Sequence, residues 1–227
     1  MKRTSKWIQS LGFFFLAISL LLTIVDFWCF YKPFYNWQYQ KNNTTVATGL
    51  NEEDLNKTTD LLFAYLKDER EDLNMQALVH GEEREVFEAR EKAHMVDVKN
   101  LYLGAMQVRN YLGILGILLV IATGLFATKD RFLHLFKSYQ KGVGAFLGFI
   151  LILGLFAVVD FTSFWTNFHH VFFTNDLWLL DPNISIMINM VPEPFFFALV
   201  MVIVVSYLLA LLITYIVLYL FQKKVNA

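Results

Sequence analysis

The run FFFALVMVIVVSYLLALLITYIVLYLF, Phe195 to Phe221, contains no charged residue, no proline and no glycine. It exceeds the roughly 17–25 apolar residues that carry a helix across the hydrocarbon core of a bilayer. Three stretches upstream read the same way, about Ile8 to Phe30, Tyr111 to Thr128 and Gly142 to Phe164. The composition agrees, with 56% hydrophobic residues, 17% aromatic residues and a mean hydropathy of +0.46. The chain therefore reads as an all-α integral membrane protein with four transmembrane helices.

Charge sets the expected orientation. Lys2, Arg3 and Lys6 precede the first span, and Lys223 and Lys224 follow the last. Between the second and third spans, Lys129, Arg131, Lys137 and Lys141 face a single acid, Asp130. Unopposed positive charge marks cytoplasmic segments, so both termini are expected inside. The chain then divides into 1–30 (N-terminal tail and first span), 31–110 (an extracellular helical cap), 111–164 (second and third spans with a cytoplasmic loop), 165–194 (an outer interfacial loop) and 195–227 (fourth span and C-terminus). The first span is not expected to be removed, because its apolar region is longer than a signal core and no small-x-small cleavage site follows. Nor does it fit a lipoprotein signal, since Phe27 and Trp28 precede Cys29 where small residues are required. Cys29 is the only cysteine, which excludes an intrachain disulfide. No basic patch accompanies the net charge of −1, so nucleic acid is not an expected partner.

In the cap, Asn51 followed by Glu52, Glu53 and Asp54 is an N-cap followed by acids that suit the positive end of a helix dipole. A second helical pattern is expected to start after Gly81 and continue to Leu103, running into the second span. The segment from Phe168 to Phe197 is crowded with Phe, Leu, Ile, Met and Trp178, yet broken by Pro182, Pro192 and Pro194. Those prolines oppose another spanning helix. Such a loop either packs on the bundle or re-enters the membrane interface as a lid over a site.

Two groups carry candidate chemistry. Glu91, His94, Asp97 and Leu101 share one face of a helix, and a carboxylate near a histidine can fix its tautomer and raise its basicity. The bland reading of that trio is an exposed salt-bridged face. His169 follows the third span directly and joins His94 at the same rim, with Asp160 as its candidate orienter. Asp26 and Asp160 both sit inside apolar stretches, where ionisable residues usually have a partner or a function. Glu91-x-x-His94 is half of a di-iron pattern without its second copy, and His94, His169 and Asp97 lack a zinc spacing. No metal is expected. Phosphate-binding glycine loops, nucleophile elbows and HExxH are also missing from the sequence.

The residues in these segments carry a resemblance. EKAHMVDVKNL, Glu91 to Leu101, resembles the HM-x-DVK-x-L stretch of the bacterial lipoprotein intramolecular transacylase (Lit) family of integral membrane proteins. FHHVFF, Phe168 to Phe173, then NDLWLLDP and VPEPFF, resemble that family's F-H-x-[IV]-F-F, WLLDP and P-E-x-FF pattern. The resemblance implies an acyltransferase acting on diacylated lipoproteins in the bacterial cell membrane. It would move the sn-2 acyl chain of the diacylglyceryl-Cys to the α-amino group of that Cys, giving the N-acyl S-monoacylglyceryl (lyso-form) lipoprotein. Carried over by motif, the catalytic residues would be His94 and His169. His170 falls on the variable position of the motif and receives no role.

The residues suit that chemistry. The α-amine, with an unperturbed pKa near 8, must lose a proton to attack the ester, and the glyceryl alkoxide must gain one. Two histidines meet both needs without a cofactor. His94, backed by Asp97, is expected as base and His169 as acid, with Glu91 and Asp160 as supporting residues, although the roles are interchangeable from sequence. Trp178, Phe172 and Phe173 are expected to line the substrate, and membrane lipid is the other expected partner. The competing class is a non-catalytic membrane scaffold or transporter subunit, and a lipase-like hydrolase would use the same residues. Inverted repeats and mid-bilayer polar residues, which would favour a transporter, are not seen.

Overall fold

The computed structural model describes residues 3–125 and 131–226 and is almost wholly helical. Four long helices dominate: α1 (Arg3–Cys29), α5 (Ala89–Leu125), α6 (Arg131–Val159) and α9 (Glu193–Asn226). Between them lie α2 (Lys32–Lys41), α3 (Thr44–Thr48), α4 (Glu52–Leu66), strands β1 (Gln76–Val79) and β2 (Glu82–Glu85), α7 (Phe161–Phe172) and α8 (Ile186–Met190). The long helices contain four stretches apolar and long enough to cross a membrane: Lys6–Cys29, Ala89–Thr123, Leu133–Val159 and Glu193–Lys224. The protein is an all-α, multi-pass membrane protein. Lys2, Lys129 and Asp130 of the charge argument, and residues 126–128 of the second expected span, lie outside the described residues.

One compact unit comprises the described residues up to Phe27, Met106–Val159 and those from Val200 onward. It is held by close approach of small residues, as membrane helices require in place of a hydrophobic driving force. A Cβ on Gly12 would meet the carbonyl oxygen of Gly116 at 3.1 Å, and one on Gly116 would meet that of Gly12 at 2.9 Å. On the other side of α1, a Cβ on Gly142 of α6 would collide with the Ser10 carbonyl and Phe14 nitrogen. Buried tyrosines tie the helices further. Tyr139 donates to the Leu211 carbonyl at 2.7 Å and Tyr207 to the Ala17 carbonyl at 3.2 Å. Asp26 pairs with Arg109 at 2.7 Å, so this intramembrane acid has the partner that burial demands. Outward, Ile152, Leu155 and Ile213 are 70, 65 and 61% exposed, a surface suited to lipid rather than water.

The second unit comprises Trp28–Ala105 and Asp160–Leu199. Its core gathers Tyr39, Leu55, Leu62, Phe87, Met187 and Met190. Asn51 caps α4 as expected, its side chain accepting from the Asp54 N–H at 2.8 Å. The helix expected from Gly81 begins instead at Ala89, because Gln76 to Glu85 form an antiparallel hairpin with Val79 opposite Glu82. Its two-residue turn has both φ angles positive, 52° at His80 and 86° at Gly81, the geometry that matches strand twist. The His80 N–H reaches the Gly49 carbonyl at 3.0 Å, and a Cβ on Gly49 would overlap the His80 ring. The third span also ends earlier than expected, at Val159, where Asp160 turns the chain into α7.

Candidate active site

Glu91, buried to 1% exposure, begins the site at the first turn of α5. Its Oε2 accepts from the Glu88 N–H at 2.6 Å, satisfying a donor that the helix start leaves open. Its Oε1 accepts from Ser185 Oγ at 2.6 Å and from the Met187 N–H at 2.7 Å. One carboxylate thus joins the start of α5 to the start of α8. His94 follows about one turn later and is 8% exposed. Among the described residues nothing bonds to its buried Nδ1, so only Nε2 can meet a substrate. A buried, unsatisfied polar atom in a native fold calls for an explanation, and catalysis is one.

Asp160 caps α7, its Oδ1 accepting from the Ser163 N–H at 3.0 Å; that hydrogen bond holds its carboxyl below the usual range. Two turns and more along α7, His169 is 7% exposed and its Nδ1 lies 2.7 Å from the Trp165 carbonyl. A carbonyl only accepts, so Nδ1 carries the proton and Nε2 of the neutral ring has the free lone pair. Burial pushes the His169 pKa below its ordinary value; the Trp165 carbonyl opposes this and His170 adds to it. The orienter of His169 is therefore the main chain of its own helix, one turn back, and not Asp160.

The two imidazoles face each other with ring centroids 6.2 Å apart and planes inclined by 33°. Phe173 packs against both, 5.3 Å from His94 and 5.7 Å from His169. Trp165 meets His169 edge-on at 4.9 Å, and Trp178 stacks on it at 4.6 Å and 27°. His170 is exposed and touches the edge of the Trp178 indole. Phe172 is 51% exposed and offers an open apolar face. Asp97 is not hydrogen-bonded to either histidine and accepts instead from Asn175 Nδ2 at 2.9 Å. Arg90 reaches the same loop, donating to the Leu179 carbonyl at 3.2 Å and to the Asp176 carbonyl.

The family model described as lipoprotein intramolecular transacylase Lit matches residues 10–196. The chain belongs to the Lit family. It is accordingly an acyltransferase, and both histidines of the pair lie within the matched residues. The fold agrees with a solved structure of the membrane integral lipoprotein intramolecular transacylase Lit from Bacillus cereus. That likeness has a TM-score of 0.74 at 20% identity, covering 99% of this chain and 98% of that one. A second structure of the Bacillus cereus protein, with one histidine replaced by arginine, matches at TM-score 0.68 and 18% identity over 98% of this chain and 92% of that one. A third, with alanine at the histidine, matches at 0.67 and 19% over 98% and 94%. No curated protein matches the chain.

Against this Lit fold the sequence expectations sort unevenly. His94 and His169 come together, and Phe173 and Trp178 contact one or both rings. Glu91 serves the junction of α5 and α8, and Asp160 serves a helix cap. Arg90, Trp165 and Asn175 went unread. The first two were accessible by spacing, since Arg90 precedes His94 and Trp165 precedes His169 by four residues, one helical turn. No local pattern marks Asn175.

Proposed function

We propose that this protein converts diacylglyceryl lipoprotein to the lyso form, transferring the sn-2 acyl chain to the α-amine of the same lipidated Cys, with His94 and His169 as its catalytic residues. The observation that carries the assignment is the buried imidazole pair, 6.2 Å apart, with one tautomer fixed. His169, whose Nε2 holds a lone pair, is the base for the attacking amine. At His94, leaving a lone pair rather than an N–H at the sealed Nδ1 is the cheaper arrangement, so Nε2–H points to the site as donor. His169 thus takes on both proton transfers, and His94, expected from sequence as the base, becomes the hydrogen-bond donor.

The steps balance. The amine nitrogen forms a bond to the ester carbonyl carbon as His169 Nε2 takes one of its protons. The carbonyl oxygen becomes an oxyanion and accepts from His94 Nε2–H, a preorganised donor in a site shielded from water. The carbon–oxygen bond to glycerol then breaks, and His169 returns its proton to the departing oxygen. Both rings end neutral and no acyl-enzyme forms. Because amine and ester belong to one molecule, holding them in attack geometry supplies much of the acceleration.

The charge pattern of the sequence supports cytoplasmic termini and a site at the outer leaflet, the side on which lipoproteins are anchored. The test is mass spectrometry of the N-terminal lipopeptide of a diacylated lipoprotein made with the wild-type protein, H94A or H169A. Unchanged mass with one acyl chain on nitrogen in the wild type, and a loss of about 10²–10⁴-fold in rate in each variant, is expected. Wild-type release of one acyl mass would point to hydrolysis and sink the proposal.

A further inference from the structure

Arg90, His94 and Asp97 lie along one side of α5, and the two flanking residues grip a single loop. Arg90 takes the carbonyls of Asp176 and Leu179, and its guanidinium lies 3.5 Å from the Asp176 carboxylate. Asp97 takes the Asn175 side-chain amide at 2.9 Å. Within the loop, Asn175 Oδ1 accepts from the Leu177 N–H at 3.0 Å, and its carbonyl accepts from Trp178 Nε1 at 3.1 Å. The loop is therefore pinned on both sides of His94, and the residue between the pins is the Trp178 that stacks on His169.

We propose that Arg90 and Asn175 are positioning residues that, through Asp97 and the carbonyls of the 175–179 turn, buckle the loop to α5 so that Trp178 holds the His169 ring at its working distance from His94. The proposal rests on the functional reading above. The indole does three things there. Its stack prevents rotation of the imidazole about its last torsion, its face supports the imidazolium that forms when His169 takes a proton, and its bulk keeps water off one side of the ring. The helix that carries one histidine thereby sets the pose of the other. Trp178 is assigned to holding the catalytic ring, and the substrate-lining role passes to the exposed Phe172.

The experiment uses the full chain in detergent micelles and two readouts. Carbethoxylation of His169 by diethyl pyrocarbonate, mapped by mass spectrometry with the exposed His80 of the hairpin turn as internal reference, reports the pose without turnover. Steady-state acyl transfer reports kcat and KM. W178L, R90Q and N175A are each expected to raise His169 labelling several-fold relative to His80. Each should also lower kcat about ten- to hundred-fold with KM little changed, the cost of a reacting group displaced by about an ångström. W178F, which keeps an aromatic face, should recover most of the labelling protection and most of kcat. Unchanged labelling and kcat in W178L would overturn the proposal, as would a defect in R90Q or N175A confined to KM. Labelling that rises as expected in the variants, with no acyl transfer by the wild-type protein, would uphold the buckle while removing the acyl-transfer reading.

Discussion

His169 donates a hydrogen bond from Nδ1–H to the Trp165 carbonyl, and in the proposed mechanism it works from Nε2, so the pH dependence of the reaction follows from two groups. The substrate amine, near pKa 8, must be neutral, and so must His169. Burial lowers the pKa of His169 below its ordinary value, so the ring is mostly neutral at pH 6.5 and above. Log kcat/KM should therefore rise with a slope near one between about pH 6.5 and about 8, where the amine dominates the titration. A slope of two beginning above pH 6.5 would mean that His169 titrates higher than its burial dictates. At this scale the sequence was most legible, because histidines beside apolar spans stand out. What it hid was direction. No spacing reveals that Asp97 turns to Asn175, or that Glu91 is consumed by three backbone and hydroxyl donors.

Elements meet at single residues in this protein, and two of them make the cost measurable. Glu91 is the shared acceptor of α5 and α8, so Glu91→Ala strands three donors at once. Unfolding stability in detergent should fall by about 3 kcal/mol, the scale for breaking a buried, hydrogen-bonded charge. A change within a few tenths of that scale's lower neighbours, surface substitutions at about 0.5 kcal/mol, would show the junction to be dispensable. In the spans, Gly142→Leu has nowhere to put its side chain against Ser10 and Phe14. Loss of a monodisperse protein, or a clear drop in its thermal midpoint, is expected; wild-type behaviour would place α1 and α6 farther apart. Long elements were legible because twenty apolar residues in a row have one physical reading. The hairpin was not, because β2 is Glu-Glu-Arg-Glu, with no apolar alternation to betray a strand, and its turn depends on a histidine at positive φ beside Gly81.

At the scale of the whole molecule, the sign of charge beside each span predicts which face of the bilayer each segment occupies. A fluorescent-protein fusion after Lys224 should be bright and an alkaline phosphatase fusion there inactive, with the reverse for fusions in the segment near Asp72. The opposite pattern would put the histidines on the cytoplasmic side, away from the substrate. Four spans and two loop-rich segments could be read from hydropathy alone. The grouping of the described residues into two units could not, since α5 and α9 each contribute residues to both.

The near-complete enclosure of both imidazoles, 8% and 7% exposed, also bears on product fidelity. Water is a rival nucleophile for the same ester, and in the proposed mechanism His169 Nε2 would take its proton too. Every water that attacked would turn a diacylated lipoprotein into one short of an acyl chain plus a detergent-like fatty acid, and the damage would accumulate in the membrane that houses the enzyme. The fraction of turnovers that release free acid is thus a gauge of how tightly the rings are sealed. A leaky variant would reveal itself as a harmful lipase before it registered as a slow transferase.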